Sequence, residues 1–233
     1  MNFRLGNKGY LTTENPLLDV IFNGGFQYNT MSHYYGGDST GKSTFAMQLA
    51  LVTVHNGYEV IWIDLNNSFN FNRLTQMNNG DTAIASQIKL FKPQSYEINM
   101  ELIKKLETYV TDTTKLIVLD PFIYFYRLYS QKNVEFRTRR DLFNVQLPIL
   151  ARIVLTYDLH IILINQIRAN FGKDSGVSGG QRTNKFCKYV LEFQKHPIEN
   201  KRMITIHRIF RRRDPIYLSC QIGNFGFYGF KLC

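Results

Sequence analysis

The sequence predicts an α/β protein: a mostly parallel central sheet flanked by helices, with antiparallel edge strands near the C-terminus. Three observations carry this. The runs VIWID (60–64), LIVLD (116–120) and HIILIN (160–165) are apolar along their whole length, as strands buried on both faces must be. Segments of helical period alternate with them. Beyond residue 188, short strands follow one another with no helical spacer.

Taken in order, the pattern gives strands at about 32–35, 59–64, 87–91, 115–120 and 159–164, and helices at about 42–55, 97–110 and 140–157. In the helix at 97–110, Ile98, Leu102, Ile103, Leu106 and Val110 recur at 3.6-residue spacing and read as a core stripe. The stretch after Gln166, IRANFGKDSGVSGGQRTNK, is rich in Gly, Ser, Asn and basic residues and reads as a long loop. Strands at about 188–194, 202–207 and 218–222 then extend the sheet at an edge. No internal repeat or linker interrupts the chain, and 233 residues suit one compact domain.

Composition narrows the class. Hydrophobic residues at 44%, aromatics at 14% among them, supply a core and argue against disorder. No apolar run reaches the ~18 residues of a membrane span, and MNFRLGNKGYLTT has no signal-peptide character, so a soluble, intracellular protein without a membrane partner is expected. Cys187, Cys220 and Cys233 form no CxxC pair and have no metal-ligand spacing with histidine, so they read as inert thiols. The net charge is +10, and its placement is uneven: residues 168–213 hold twelve Lys and Arg against three acids. Such a concentration suits a polyanionic partner or a solvated basic face.

The sharpest chemistry is at YYGGDSTGKST, residues 34–44. Gly36, Gly37, Asp38, Ser39, Thr40, Gly41, Lys42 and Ser43 match the phosphate-binding P-loop, and Thr44 follows within the helix. The motif falls after a strand and opens a helix, as it must. Glycines let backbone N–H groups turn inward around phosphate oxygens, and the helix N-terminus adds positive potential. Lys42 is expected to reach the β- and γ-phosphates of ATP, and Ser43 to ligate Mg²⁺. Such a loop needs an acid at the end of an apolar strand to hold the metal; Asp64 and Asp120 both qualify.

With these pieces in place, the chain resembles the core ATPase of the RecA/RadA recombinase family, and most closely the short archaeal RadA paralogues of the RadB type. The similarity covers nearly the whole length. LTTENPLLDVIFNGGFQYNT looks like the family's entry segment, with Leu18–Asp19 and Gly24–Gly25 ahead of the P-loop strand; IDLNNSFNFNRL is similar to IDTEGTFxxxRL; KLIVLDPFIYFYR resembles the Walker B strand. The resemblance implies a RecA-like fold, Asp120 as the magnesium acid, Gln166 of ILINQ as the sensor of the γ-phosphate, and Arg73 as the arginine near the adenine. GGQRTNKFCKYVLEFQK stands where the family closes its second DNA loop.

The departures matter as much. The family's water-orienting glutamate aligns with Asn66, a carboxamide that can hold a water but cannot take its proton. The resemblance therefore implies ATP binding with slow hydrolysis, unless a neighbouring carboxylate such as Asp64 substitutes. Pro121 stands where the family often has Ser. Neither the family's N-terminal domain nor its FxxA-type linker precedes Leu11, so docking onto a related recombinase or another paralogue is expected in place of long homofilaments.

Single-stranded DNA is the implied partner. One family DNA loop corresponds to about 127–140, with Arg137, Arg139 and Arg140; the other to 167–184, with Arg168, Phe171, Lys173 and Arg182, running into Lys185 and Lys188. Basic side chains there would neutralise phosphates without reading sequence, and Phe171 would stack on a base or anchor its loop. RRRDP, 211–215, is a further cluster that could face DNA or a nucleotide across an interface. The leading expectation is an ATP-binding recombinase paralogue that assists homologous recombination and DNA repair. The alternatives are a circadian-clock-like (KaiC-like) or archaellum-type regulatory ATPase acting on a protein ring, and a full strand-exchange ATPase.

Overall fold

The computed structural model describes residues 9–129, 141–166, 180–209 and 214–233, without the side chains of Ala85, Tyr129 and residues 180–182. Its centre is a nine-stranded sheet. In chain order the strands are β1 (Tyr10–Leu11), β2 (Phe26–Gln27), β3 (Thr30–Gly36), β4 (Glu59–Asp64), β5 (Ile88–Phe91), β6 (Thr114–Asp120), β7 (His160–Gln166), β8 (Tyr189–Lys195), β9 (Lys201–Ile209), β10 (Ile216–Gly223) and β11 (Gly226–Leu232). The order across the sheet is β11-β10-β9-β8-β3-β7-β6-β4-β5, with β1 and β2 forming a separate ribbon. The six strands from β8 to β5 pair in parallel. From β8 outward the pairing is antiparallel. The mixed sheet, parallel at its centre with antiparallel C-terminal strands, is the architecture that the sequence predicts.

Both faces are covered. On one lie α1 (Pro16–Ile21), α2 (Lys42–His55) and α3 (Phe71–Met77); their cluster joins Phe45, Leu49, Trp62 and Leu74 to Tyr34, Leu191, Phe193 and Phe227. On the other lie α4 (Tyr96–Lys105), α5 (Tyr124–Tyr129) and α6 (Leu147–Thr156), around Ile61, Ile63, Ile103, Leu119, Leu150 and Leu163. A final helix, α7 (Gly180–Phe186), precedes β8. Helix α2 is buried on nearly all sides, with Phe45, Ala46, Met47, Leu49, Ala50, Leu51, Val52 and Val54 all inside. A helix of that kind is a core element, without a polar solvent face.

The structure corrects several details. The helix at 97–110 is α-helical only to Lys105 and continues as a 3₁₀ turn, Leu106–Tyr109. Ile98, read as core, is 51% exposed. The rest of the stripe holds, with Ile103, Leu106 and Val110 buried and Leu102 packed against the same cluster; Tyr96, Asn99 and Met100 take the inward places ahead of Ile103. The segment before α6 is a π-helical turn, Leu142–Gln146, with a Pro entering α6 in its first turn. Helices α1 and α3, the 3₁₀ turn Ala83–Gln87 and strand β11 are elements the periodicity does not reveal. The family-like pairs Leu18–Asp19 and Gly24–Gly25 prove structural. Asp19 accepts from the Thr12 hydroxyl at 2.6 Å and from the Thr13 amide and hydroxyl at 2.8 Å each. Gly25 lies at φ +119 against the Leu11 backbone, where any Cβ would overlap it.

Candidate functional site

Strand β3 runs between β7 and β8, and through α2 it connects to β4, with β7 and β6 lying between them. This reversal of direction opens a crevice at the C-terminal ends of the parallel strands, where α/β proteins place ligands. The P-loop fills it. Gly36 is in register with Gln166 on one side and Phe193 on the other. Gly41, the N-cap of α2, has φ 98, and a Cβ there would come within 2.5 Å of the Phe227 ring. Both positions thus require glycine, one for closeness to β8 and one for the left-handed turn that aims the helix N-terminus into the crevice. Ser39, at φ 55, and Asp38 are exposed at the loop apex.

Lys42 is 8% exposed, and its Nζ donates to the Gly36 carbonyl at 3.1 Å, the Gly37 carbonyl at 2.6 Å and the Thr40 hydroxyl at 3.3 Å. Burial pulls its pKa down to about 8, against the opposing pull of Asp120 and Asp38. Asp120 is 7% exposed; burial pushes its pKa up to about 6, while a hydrogen bond from Ser43 and the nearby Lys42 charge work the other way. Ser43, Asp120 and Lys42 are therefore brought together as the motif predicts. The Asp120–Pro121 peptide is cis. Nothing in the sequence beyond the X-Pro pair signals it.

Asp64 lies beside Asp120 in register, yet both its oxygens are engaged: Oδ1 accepts from Ser68 N and Oδ2 from Phe69 N, each at 2.9 Å. It is the clamp for the loop after β4, a different role from that of Asp120, which the resemblance singles out as the magnesium acid. Asn66 is exposed on that loop and accepts from the Ser68 hydroxyl at 2.6 Å. Arg73, on α3, is held at the turn between β10 and β11, donating to Gly223 O at 2.5 Å and Asn224 O at 3.1 Å. Gln166 is half-buried, and Arg127 of α5 donates to its side-chain and backbone oxygens at 3.3 and 3.4 Å.

Sequence reasoning misses Arg127 as a site residue, and it misses the β10–β11 hairpin as the wall of the P-loop. The only signal for the latter is a glycine-aromatic texture, GNFGFYGF. Of the residues expected at DNA, Arg137, Arg139, Arg140, Arg168, Phe171 and Lys173 lie outside the described residues, as does the side chain of Arg182; Lys185 is exposed on α7. The Arg211–Arg213 cluster is likewise outside, with Asp214 and Pro215 exposed after it. Among the described residues no group of three His, Cys, Asp or Glu is placed to hold a metal, and no helix is long and apolar enough to cross a membrane. Cys187 and Cys220 are buried free thiols and Cys233 is an exposed one.

Residues 9–194 match the family model described as Rad51. The chain belongs to the Rad51 family. Membership implies nucleotide binding, and the Rad51-family match spans the P-loop, both strand-end acids and Gln166. Among curated proteins, the chain is 28% identical over 202 residues to a DNA repair and recombination protein RadB of Methanobrevibacter smithii, covering 83% of this chain and 85% of the relative. It is 26% identical over 203 residues to the RadB of Thermococcus gammatolerans, covering 85% and 89%. A crystal structure of the RadB recombinase superposes with a TM-score of 0.77 over 93% of this chain and 98% of that one, at 24% identity, which supports the fold.

Proposed function

We propose that this Rad51-family chain is an ATP-binding recombinase paralogue that binds single-stranded DNA and assists homologous recombination and DNA repair, with slow ATP hydrolysis. The residues fit a magnesium nucleotide. Gly36 and Gly41 leave no room for side chains, Lys42 is drawn into the loop, and Ser43 is paired to a buried carboxylate. The P-loop amides from Gly37 to Thr44 with Lys42 would hold the phosphates, Ser43 and Asp120 the Mg²⁺, Arg73 the base side, and Gln166 the γ-phosphate side. The metal would supply charge neutralisation of the phosphates.

One observation carries the slow-hydrolysis reading. The position from which a carboxylate would orient water is Asn66, and the nearby acid Asp64 is tied by both oxygens to backbone amides. A carboxamide offers positioning without proton acceptance. Partner docking onto a recombinase or another paralogue is part of the proposal, as is contact of the basic residues Arg137, Arg139, Arg140, Arg168, Lys173, Arg182 and Lys185 with DNA, joined by Phe171.

The test is steady-state ATP turnover with and without single-stranded DNA, together with DNA binding across a salt series. Slow turnover is expected, with Asn66→Glu raising it about tenfold or more. Brisk turnover by the unaltered chain would overturn the reading of Asn66. Affinity for DNA should fall with salt, with a log–log slope of about 0.7 per phosphate neutralised. Binding that is weak and indifferent to salt would favour a protein-ring partner.

A further inference from the structure

A histidine sits directly behind the phosphate loop in a place that the nucleotide site does not use. His33 of β3 is 0% exposed, three residues before Gly36, on the face opposite to α2. Its Nε2 is 2.7 Å from Asn165 Nδ2, and its Nδ1 is 2.6 Å from Asn184 Oδ1. Asn165 Oδ1 in turn accepts from the Ile123 amide at 3.2 Å. The polarity of this chain is fixed from one end. Because the Asn165 carbonyl is taken by a donor, its amide must donate to Nε2; the neutral ring then carries its proton on Nδ1 and donates to Asn184. Burial holds the ring neutral, its pKa lowered to about 4 despite the Asn184 bond.

The three residues tie together three elements that matter separately. Asn165 immediately precedes Gln166, Ile123 lies three residues beyond Asp120, and Asn184 is on α7. Further bonds secure α7 at the same end: Arg208 donates to Asn184 O at 2.8 Å, and the Lys188 amide donates to Met31 O of β3 at 2.8 Å. The strand-end carboxamide beside Gln166 and the helix that bears Lys185 are thus joined through a single imidazole. A buried, fully satisfied polar chain of this kind transmits displacement, since moving one member leaves its partners unpaired.

We infer that His33 is a positioning residue that couples the Asn165–Gln166 strand end, and through it the nucleotide state, to helix α7. This rests on the proposed nucleotide site, and it adds a route from that site to α7 that runs through this chain's own His33–Asn184 contact.

The experiment is hydrogen exchange of the backbone amides of residues 180–188 in the full chain, with and without magnesium and a non-hydrolysable ATP analogue. The variants are His33→Leu, His33→Gln and Asn184→Ala, and analogue affinity is measured in parallel. Glutamine can donate at one end and accept at the other, so it preserves the polarity of the chain, whereas leucine severs it. The analogue should slow exchange in α7 about tenfold in the unaltered chain and in His33→Gln, and should leave it unchanged in His33→Leu and Asn184→Ala. All four proteins should bind the analogue alike. If His33→Leu does not fold, Asn184→Ala decides, because that residue is only half-buried. Nucleotide-dependent slowing that survives in both severed variants, or that is absent from the unaltered chain although it binds the analogue, overturns the inference. Failure of the analogue to bind the unaltered chain overturns the nucleotide-site reading and the inference with it.

Discussion

Acid should unfold this protein along a slope set by three buried groups, and the slope should respond to substitution in opposite directions. His33 and His160 are fully buried and neutral. Burial lowers their pKa values from 6.5 to about 4 and about 3, His160 being further lowered by the Lys188 charge and partly restored by its bond to the Gln27 carbonyl. A base with a depressed folded pKa contributes stability fully above its unfolded pKa and loses it as the pH falls toward the folded one. Asp120 works the other way: its folded pKa is raised from 3.8 to about 6, so its cost is full above that value and is relieved on acidification. Between about pH 6 and pH 5 the unfolded chain therefore binds about two extra protons at the histidines, and the folded chain about one at Asp120. The net difference of about one proton predicts a loss of about 1.4 kcal/mol of unfolding free energy per pH unit. Glu59 and Glu192, whose pKa values are lowered by hydrogen bonds from Thr111 and His207 respectively, titrate below this window. The assay is urea denaturation in steps across the window, read as a slope so that the absolute stability of each variant does not matter. Asp120→Asn should steepen the loss to about 2.5 kcal/mol per unit, and His160→Gln should bring it near zero. A wild-type slope near zero that Asp120→Asn leaves unchanged would refute the reasoning.

Three further outcomes follow from the site. Gly41→Ala imposes a Cβ on a left-handed residue and against the Phe227 ring, so it should cost about 2–4 kcal/mol of stability; in a double-mutant cycle with Phe227→Ala the clash component should appear as coupling of about 1–2 kcal/mol, checked by urea titration of the four proteins. Lys42→Met removes a charge whose burial depresses its pKa to about 8, so at neutral pH it should abolish nucleotide binding while raising unfolding free energy by about 1–3 kcal/mol, as read by calorimetric titration and denaturation of the same sample. Lys185→Ala should weaken single-stranded DNA binding and reduce the salt slope by about 0.7, with sequence preference unchanged in a competition assay.

Much of the fold was legible because its signals are local. Strands β4, β6 and β7 are buried on both faces and announce themselves as unbroken apolar runs; the P-loop compresses its chemistry into eight consecutive residues. What escaped is what depends on distant partners. Of the stripe on α4 only Ile98 fell outside, because the neighbours packed against the helix, which no periodicity encodes, decide the buried side and take Tyr96 and Met100 in its place. Asp64 and Asp120 are indistinguishable as strand-end acids by pattern alone; the family resemblance favours Asp120, and the loop turning back over Asp64 supplies the physical difference. The Phe227 ring is brought against Gly41 from 186 residues away in the chain by an edge hairpin with no helical connection, a contact that hydropathy cannot order.

The same distinction bears on how the site acts. The groups that would grip phosphate are contiguous, and aromatic packing of Phe45, Phe193 and Phe227 lies behind them. Those that would report on the grip are joined across long separations: Arg127 to Gln166, His33 to Asn165 and Asn184, Arg73 to Gly223. On the proposed function, the carboxamide of Asn66, which accepts from the Ser68 hydroxyl and from none of these partners, would slow the loss of the γ-phosphate without touching any of these links. The lifetime of the bound state would then lengthen while its mechanical reach is untouched. A chain so built suits a partner that must be held in one state longer than a rapid motor would allow, and the Asn66→Glu variant should shorten that state while leaving nucleotide affinity where it was.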